Sequence, residues 1–205
     1  MKLKTMPLGA LGANSHILWN EQTNQAVVFD CGGEEHKIIE FLEQCELELK
    51  YIILTHGHSD HIMGVNALAK ATGAKVIAHV EERDVLEDAA KNYSGMFGGD
   101  RLTVHADEYI NGDEARSLIG YDFKFYHTPG HTRGGMCIEV EGQLFSGDTL
   151  FKGSIGRSDL YGGDMKVLMK SLQKLLKLSH RLNVHCGHGP STTLRDEAKY
   201  NPFLQ

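Results

Sequence analysis

The chain has 205 residues, of which 41% are apolar, 23% are charged and only 4 are proline. That length can bury a substantial core, and the composition excludes disordered, collagen-like and low-complexity classes. Lys+Arg 21 against Asp+Glu 27 leaves a net charge of −6, with no basic tail or stripe, which argues against nucleic acid or an anionic membrane as partner.

In chain order, Ser15–Trp19 and Gln25–Asp30 read as strands around a polar turn, the second ending at the breaker Cys31-Gly32-Gly33. Glu34–Cys45 places Ile38, Phe41 and Leu42 at helical spacing. Tyr51–Leu54 is a short buried-type strand that stops at Thr55, so that His56–His61 falls in a loop or a first helical turn. A helix near Met63–Ala71, a strand Lys75–His79 and a helix near Glu81–Lys91 follow. Asn92–Asp100 is glycine-rich and reads as a loop. Asp122–His127 alternates as a strand and meets Thr128-Pro129-Gly130. Met136–Val140 and Gln143–Ser146 flank a Glu141-Gly142 hairpin turn. Lys152–Gly163 is glycine-rich without periodicity and reads as an ordered functional loop or a mobile one. Asp164 caps a helix from Met165 to about Leu178, whose leucines form one stripe. Leu182–Cys186 is a last strand and Thr192–Tyr200 a last short helix. No linker-like break interrupts this run, so residues 1–205 are expected to form one α+β domain, a four-layer αββα sandwich of two sheets with helices on both outer faces.

Cys31, Cys45, Cys137 and Cys186 form no CxxC pair, and neither a signal-peptide core nor a run of about 18 apolar residues occurs. A reduced cytoplasmic protein without a disulfide framework is expected. The 12 histidines against 4 cysteines assign any metal chemistry to nitrogen and oxygen ligands.

Those ligands concentrate in one segment. His56, His58, Asp60 and His61 lie together directly after an apolar strand, and a strand-end loop aims several side chains into one space. Imidazole and carboxylate suit zinc, iron and manganese. In an extended run His56 and His58 share a face while Asp60 and His61 fall at the turn into the helix, a split able to serve two metals. Three later segments repeat the design, each a strand ending in a glycine-rich turn that presents one ligand-type residue: His131 in TPGHT, Asp148 in FSGDT and His188 in CGHGP.

With these motifs the sequence resembles the metallo-β-lactamase-fold hydrolases, and within them the glyoxalase II-like (hydroxyacylglutathione hydrolase-like) members. The family's HxHxDH matches residues 56–61, its later His, Asp and His match His131, Asp148 and His188, and TPGHTRGG and LFSGDTLFKGSIGRSD extend the match. The resemblance implies two divalent metal ions, zinc foremost, with iron or manganese as alternatives. His56, His58 and His131 would hold one, Asp60, His61 and His188 the other, and Asp148 would bridge them. It further implies Asp60 and Asp148 as catalytic carboxylates, with a metal-bridging hydroxide attacking the thioester of S-lactoylglutathione or a related hydroxyacyl thioester. Asp30 is expected to orient a ligand histidine, and Arg157 to contact the glutathione part of the substrate.

The C-terminal helical domain of full-length glyoxalase II proteins has no counterpart here, which points to the short bacterial-type branch. Relatives usually carry Asp-Pro where this chain has Asp30-Cys31. The alternative is a persulfide dioxygenase of the same fold with one iron. A non-catalytic metal-binding protein is a third reading. His16, His36, His79, His105, His127, His180 and His185 carry no partnered motif, although His127 and His185 lie on strands leading to the site.

Overall fold

A computed structural model describes residues 1–96 and 101–205; residues 97–100, the end of the expected Asn92–Asp100 loop, lie outside the described residues. The first half builds one mixed sheet. Its strands are β1 (Lys2–Leu8), β2 (Ala13–Trp19), β3 (Gln25–Phe29), β4 (Glu48–Ile53), β5 (Lys75–His79) and β6 (Glu108–Ile110), hydrogen-bonded in that order. The pairings β1–β2 and β2–β3 are antiparallel; the rest are parallel. Helices α1 (Glu35–Gln44), α2 (Ser59–Ile62), α3 (Val65–Thr72) and α4 (Arg83–Leu86) lie between these strands in the chain.

The second half forms another mixed sheet from β7 (Glu114–Leu118), β8 (Tyr121–His127), β9 (Met136–Val140), β10 (Gln143–Gly147), β13 (Asn183–Cys186) and β14 (Thr192–Thr193), in the order β14-β13-β10-β9-β8-β7. Only β10–β13 is parallel. A small hairpin, β11 (Leu150–Phe151) with β12 (Ser154–Ile155), follows β10, and α5 (Met165–Leu175) and α6 (Leu194–Tyr200) complete the chain.

The layering follows from the two-residue period of strands. In β3, Ala26 and Val28 pack outward with Ile38, Leu42, Val65 and Leu68 of α1 and α3. Val27 and Phe29 point inward, where they join Phe123, Phe125, Ile138 and Phe145 of the second sheet; Phe29 and Phe145 stack with ring centroids 3.8 Å apart. On the far face Cys137, Leu144 and Val184 pack with Leu168, Leu172 and Leu175 of α5 and Leu194 of α6. The expected α+β fold, two mixed sheets flanked by helices, is therefore present.

Local chemistry sets several boundaries. Asp164 accepts hydrogen bonds from the Lys166 and Val167 amides at 2.8 and 3.0 Å, capping α5. Glu141 and Gly142 both have positive φ, +47° and +77°, as a tight hairpin with right-twisted strands requires. One expectation is corrected, and two segments carry elements that the sequence left unassigned. The region 81–91 is a 3₁₀ turn (Val80–Glu82) plus the short α4, ending in turns at Glu87, because Val85 and Leu86 bury into the core while the following residues do not continue an apolar stripe. The segment 2–8, not assigned to any element above, is an edge strand. The loop 152–163 opens with the β11–β12 hairpin rather than being irregular throughout.

Candidate metal centre

Five strand ends meet at one place. β4 leads into Thr55–His58 and then α2, which carries Asp60 and His61. The ends of β8, β10 and β13 deliver His131, Asp148 and His188, and the end of β3 delivers Asp30. Close packing of these loops is paid for in side-chain volume: a Cβ at Gly187 would lie 2.2 Å from Asp148 Oδ1 and 2.8 Å from His61 Cε1, so only glycine lets the β13 loop approach.

The histidine nitrogens converge. His131 Nε2 lies 3.0 Å from His58 Nδ1 and 3.3 Å from His56 Nε2. Beside them, His188 Nε2 lies 3.1 Å from Asp60 Oδ2 and 3.4 Å from His61 Nε2. Asp148 stands between the two groups, with Oδ1 3.3 Å from His61 Nε2, and Oδ2 3.6 Å from His131 Nε2 and 3.8 Å from His188 Nε2. His56, His58 and His131 form one set of donor atoms within 4.8 Å of one another, and Asp60, His61 and His188 another.

The outer hydrogen bonds fix which nitrogens face inward with a lone pair. His131 Nδ1 donates to the Arg157 carbonyl at 2.7 Å. His61 Nδ1 donates to Asp30 Oδ2 at 2.7 Å. Thr55 Oγ1 donates to Asp30 Oδ2 at 2.6 Å and so is free to accept from His56 Nδ1 at 3.1 Å. In the neutral rings the Nε2 atoms of His56, His61 and His131 then carry lone pairs directed into a shared space. Lone pairs packed this way repel one another unless a cation lies between them. Two further buried atoms, His58 Nε2 and Asp148 Oδ1, have no hydrogen-bond partner, although the His61 ring nitrogen is near the latter at an unfavourable angle. These orphaned atoms and the mixed nitrogen and oxygen donors fit divalent metal ions.

The electrostatics divide the centre. Burial holds His56 far below the usual imidazole range and His58 down to about 3, and it lowers His131 as well; all three are neutral at neutral pH. At His61 burial acts in the same direction but is outweighed by Asp148 and Asp30, and His188 is raised by its hydrogen bond to Asp60. The Asp60 and Asp148 carboxyls are lowered despite burial by the neighbouring histidines. The carboxylate side of the centre thus favours positive charge.

Asp30 is 2% exposed and sits at φ +57°, a left-handed conformation that Asp tolerates better than most residues. Besides His61 and the Thr55 hydroxyl it accepts the Thr55 amide at 2.7 Å. Arg157 lies on the rim of a cavity of about 290 Å³ that also includes His58, Asp60, His131 and Asp148. Its guanidinium makes a bidentate pair with Asp159, both contacts 2.7 Å, so its contact with the centre runs through its carbonyl to His131. His127 and His185 do not reach the centre: His127 Nε2 donates to the Arg133 carbonyl, and His185 engages Ser191 and Gln143.

Two residues escape sequence reading. Glu82, 1% exposed, accepts the amides of Gly57 and Gly134 at 2.8 and 2.7 Å and the Thr132 hydroxyl at 2.8 Å. It clamps the loop bearing His56 and His58 to the loop bearing His131, and burial pushes its carboxyl up to about 7. In sequence it reads as one acid in an exposed charge run, and no local signal marks it. Tyr93, at the strained φ of +64°, places its ring 5.7 Å from that of His58 and accepts the Tyr161 amide at 2.8 Å, tying two rim loops together.

An αββα sandwich whose strand-end loops gather five histidines and two aspartates is the architecture of a metal-dependent hydrolase. The chain belongs to the metallo-beta-lactamase superfamily, whose family profile matches residues 8–188. It is 34% identical to hydroxyacylglutathione hydrolase GloC of Haemophilus influenzae, over 100% of this chain and 98% of that protein. Among solved structures it is similar to the BLEG-1 B3 metallo-beta-lactamase, at 39% identity and TM-score 0.94 over 99% of both chains. It is also similar to TTHA1623 in a di-iron-bound form, at 34% identity and TM-score 0.87, over 98% of this chain and 100% of that one. Among the described residues no helix is long and apolar enough to cross a membrane.

Proposed function

We propose that this metal-dependent hydrolase is a cytoplasmic thioesterase acting, as one domain over residues 1–205, on S-lactoylglutathione or a related hydroxyacyl thioester. The observation that carries the reading is the position of Asp148, within 3.3–3.8 Å of ring nitrogens from both donor sets. His56, His58 and His131 would hold one divalent ion, Asp60, His61 and His188 the other, and Asp148 would be shared, its negative charge offsetting the repulsion between two cations. Zinc is the foremost candidate; iron, as in the di-iron-bound TTHA1623, and manganese suit the same donors. When bound, such a pair supplies an acidified water and a Lewis acid for a carbonyl oxygen.

The chain's own residues prepare the site. Asp30 and the Arg157 carbonyl hold protons on the outer nitrogens of His61 and His131, leaving the inner nitrogens basic. Glu82 fixes the spacing of the two loops that carry the first donor set. The leaving thiolate, with an ordinary pKa of about 8.5, needs no strong general acid. Arg157, on the rim, is the cation offered to an acidic thiol portion. The relative GloC, named as a hydroxyacylglutathione hydrolase, supports this substrate class.

The test is metal quantification together with thioester hydrolysis and oxygen uptake on one sample. Two divalent ions per chain and thioester hydrolysis without oxygen consumption are expected. One equivalent of iron with persulfide-dependent oxygen uptake would overturn the reading in favour of a dioxygenase.

A further inference from the structure

Two depressions meet at the metal centre. The larger, about 290 Å³, contains Arg157, Tyr93 and Leu160 beside the donor residues. The smaller, about 210 Å³, lies between Ala10, Leu11, Gly32, Met63 and Ser94. Leu11, Ser59 and Asp60 line both, so the two arms join around Asp60.

The arms differ in charge. The larger has a guanidinium at its rim. The smaller has one ionisable side chain, Asp60, at the junction; Ala10, Leu11 and Met63 line it together with Ser59, Ser94 and the bare backbone of Gly32. That bare wall is built in, because a Cβ at Gly32 would lie 2.0 Å from the Asp60 carbonyl oxygen. The Ser94 hydroxyl is already engaged with the Leu102 backbone at 3.0 and 3.3 Å. Leu11 is 54% exposed, an apolar side chain left in water where it lines both depressions, as at a ligand-binding groove. With no cationic side chain among its lining residues this arm offers an anionic group no counter-charge, whereas an uncharged chain gains from every methylene withdrawn from water.

We infer that the smaller arm is an acyl pocket. It takes an uncharged acyl chain of up to about seven non-hydrogen atoms, at roughly 30 Å³ each, while the thiol portion occupies the arm with Arg157. A lactoyl group fills this pocket only in part, so longer acyl chains are the better substrates. The inference rests on the thioester reading above. The reaction is unchanged by chain length: water adds its oxygen to the acyl carbon, the C–S bond breaks, and the products are the carboxylic acid and the thiol.

The test uses a series of glutathione thioesters with acetyl, butyryl, hexanoyl and dodecanoyl groups. The expected kcat/KM rises about two- to fourfold per methylene up to hexanoyl and rises no further at dodecanoyl. Leu11→Asp and Met63→Trp should each reduce the hexanoyl-to-acetyl ratio at least fivefold. A flat chain-length profile in the wild type, or an undiminished ratio in both variants, would overturn the inference. Binding supplies a second readout: in metal-free protein, NMR should show the Met63 methyl resonance shifting with the uncharged hexanamide and not with acetamide. No shift with hexanamide overturns the acyl pocket. If no thioester is hydrolysed at all, the thioester reading falls, and the Met63 resonance still decides whether this arm takes an apolar chain.

Discussion

Two groups of buried histidine differ in what their ring nitrogens meet. His16 bonds Thr5 and the Cys186 carbonyl, and His185 bonds Ser191 and Gln143, so every ring nitrogen of this pair has a polar partner that a neutral imidazole satisfies. In the centre, His56, His61 and His131 are each supported at Nδ1 and turn Nε2 toward other nitrogens and carboxylates. Both groups are buried. A ligand histidine is therefore marked by an inward nitrogen without a proton-matched partner, while burial alone marks packing.

The sharpest break of this contrast is at Asp148. Asp148→Ala removes the carboxylate that lies between the two donor sets, and activity should fall about 10³-fold or more, with metal content below two per chain by elemental analysis. An unimpaired variant would refute the shared role.

Asp30→Asn keeps the left-handed backbone accessible but weakens the support of His61. Metal affinity, read by competition with a chelator, should fall about 10–100-fold. The matching change in the other group, His185→Gln, should leave metal affinity unaltered.

Glu82→Ala would leave two buried amides and a hydroxyl without their acceptor. Stability should drop by about 3 kcal/mol, measured as a lower urea midpoint with an unchanged m-value.

The packed group also carries a pH signature in metal-free protein. Burial lowers His185 to about 4, so below pH 6.5 the unfolded chain takes up a proton that the fold resists. The stability linked to the neutral ring is fully present above pH 6.5 and is lost as pH falls toward 4. His185→Gln should reduce the slope of stability against pH in that window by at most one proton, ~1.4 kcal/mol per pH unit. An identical slope in wild type and variant would contradict the lowered value.

The smallest effect is expected at the rim. Arg157→Ala removes a solvent-exposed guanidinium already paired with Asp159, so KM for glutathione thioesters should rise only a few-fold. KM for a small neutral ester should not change. Equal effects on both would remove Arg157 from substrate recognition.

Much of the fold was legible because its signals are local. The alternation in Asp122–His127, the Glu141-Gly142 turn, the Asp164 cap and the leucine stripe of α5 each depend on residues a few positions apart. The segment 2–8 was not legible: an edge strand paired only with β2, half-exposed and containing Pro7, lacks the apolar alternation of a central strand. The helix expected over 81–91 was overestimated because the buried side of Glu82, Val85 and Leu86 is set by packing against loops distant in sequence.

The same division runs through the centre. By itself the sequence determined the donor types and their strand-end placement, since HxHxDH is six consecutive residues and each later donor sits in its own turn. The tertiary structure alone decided that Asp148 stands between two donor sets, that Asp30 meets His61, and that Glu82 clamps the His56 and His131 loops. Those facts depend on where a side chain points after long-range packing has joined segments up to 128 residues apart, as in the His188–Asp60 contact. No periodicity or spacing encodes them, because hydrogen bonds and charge are settled by distance in space.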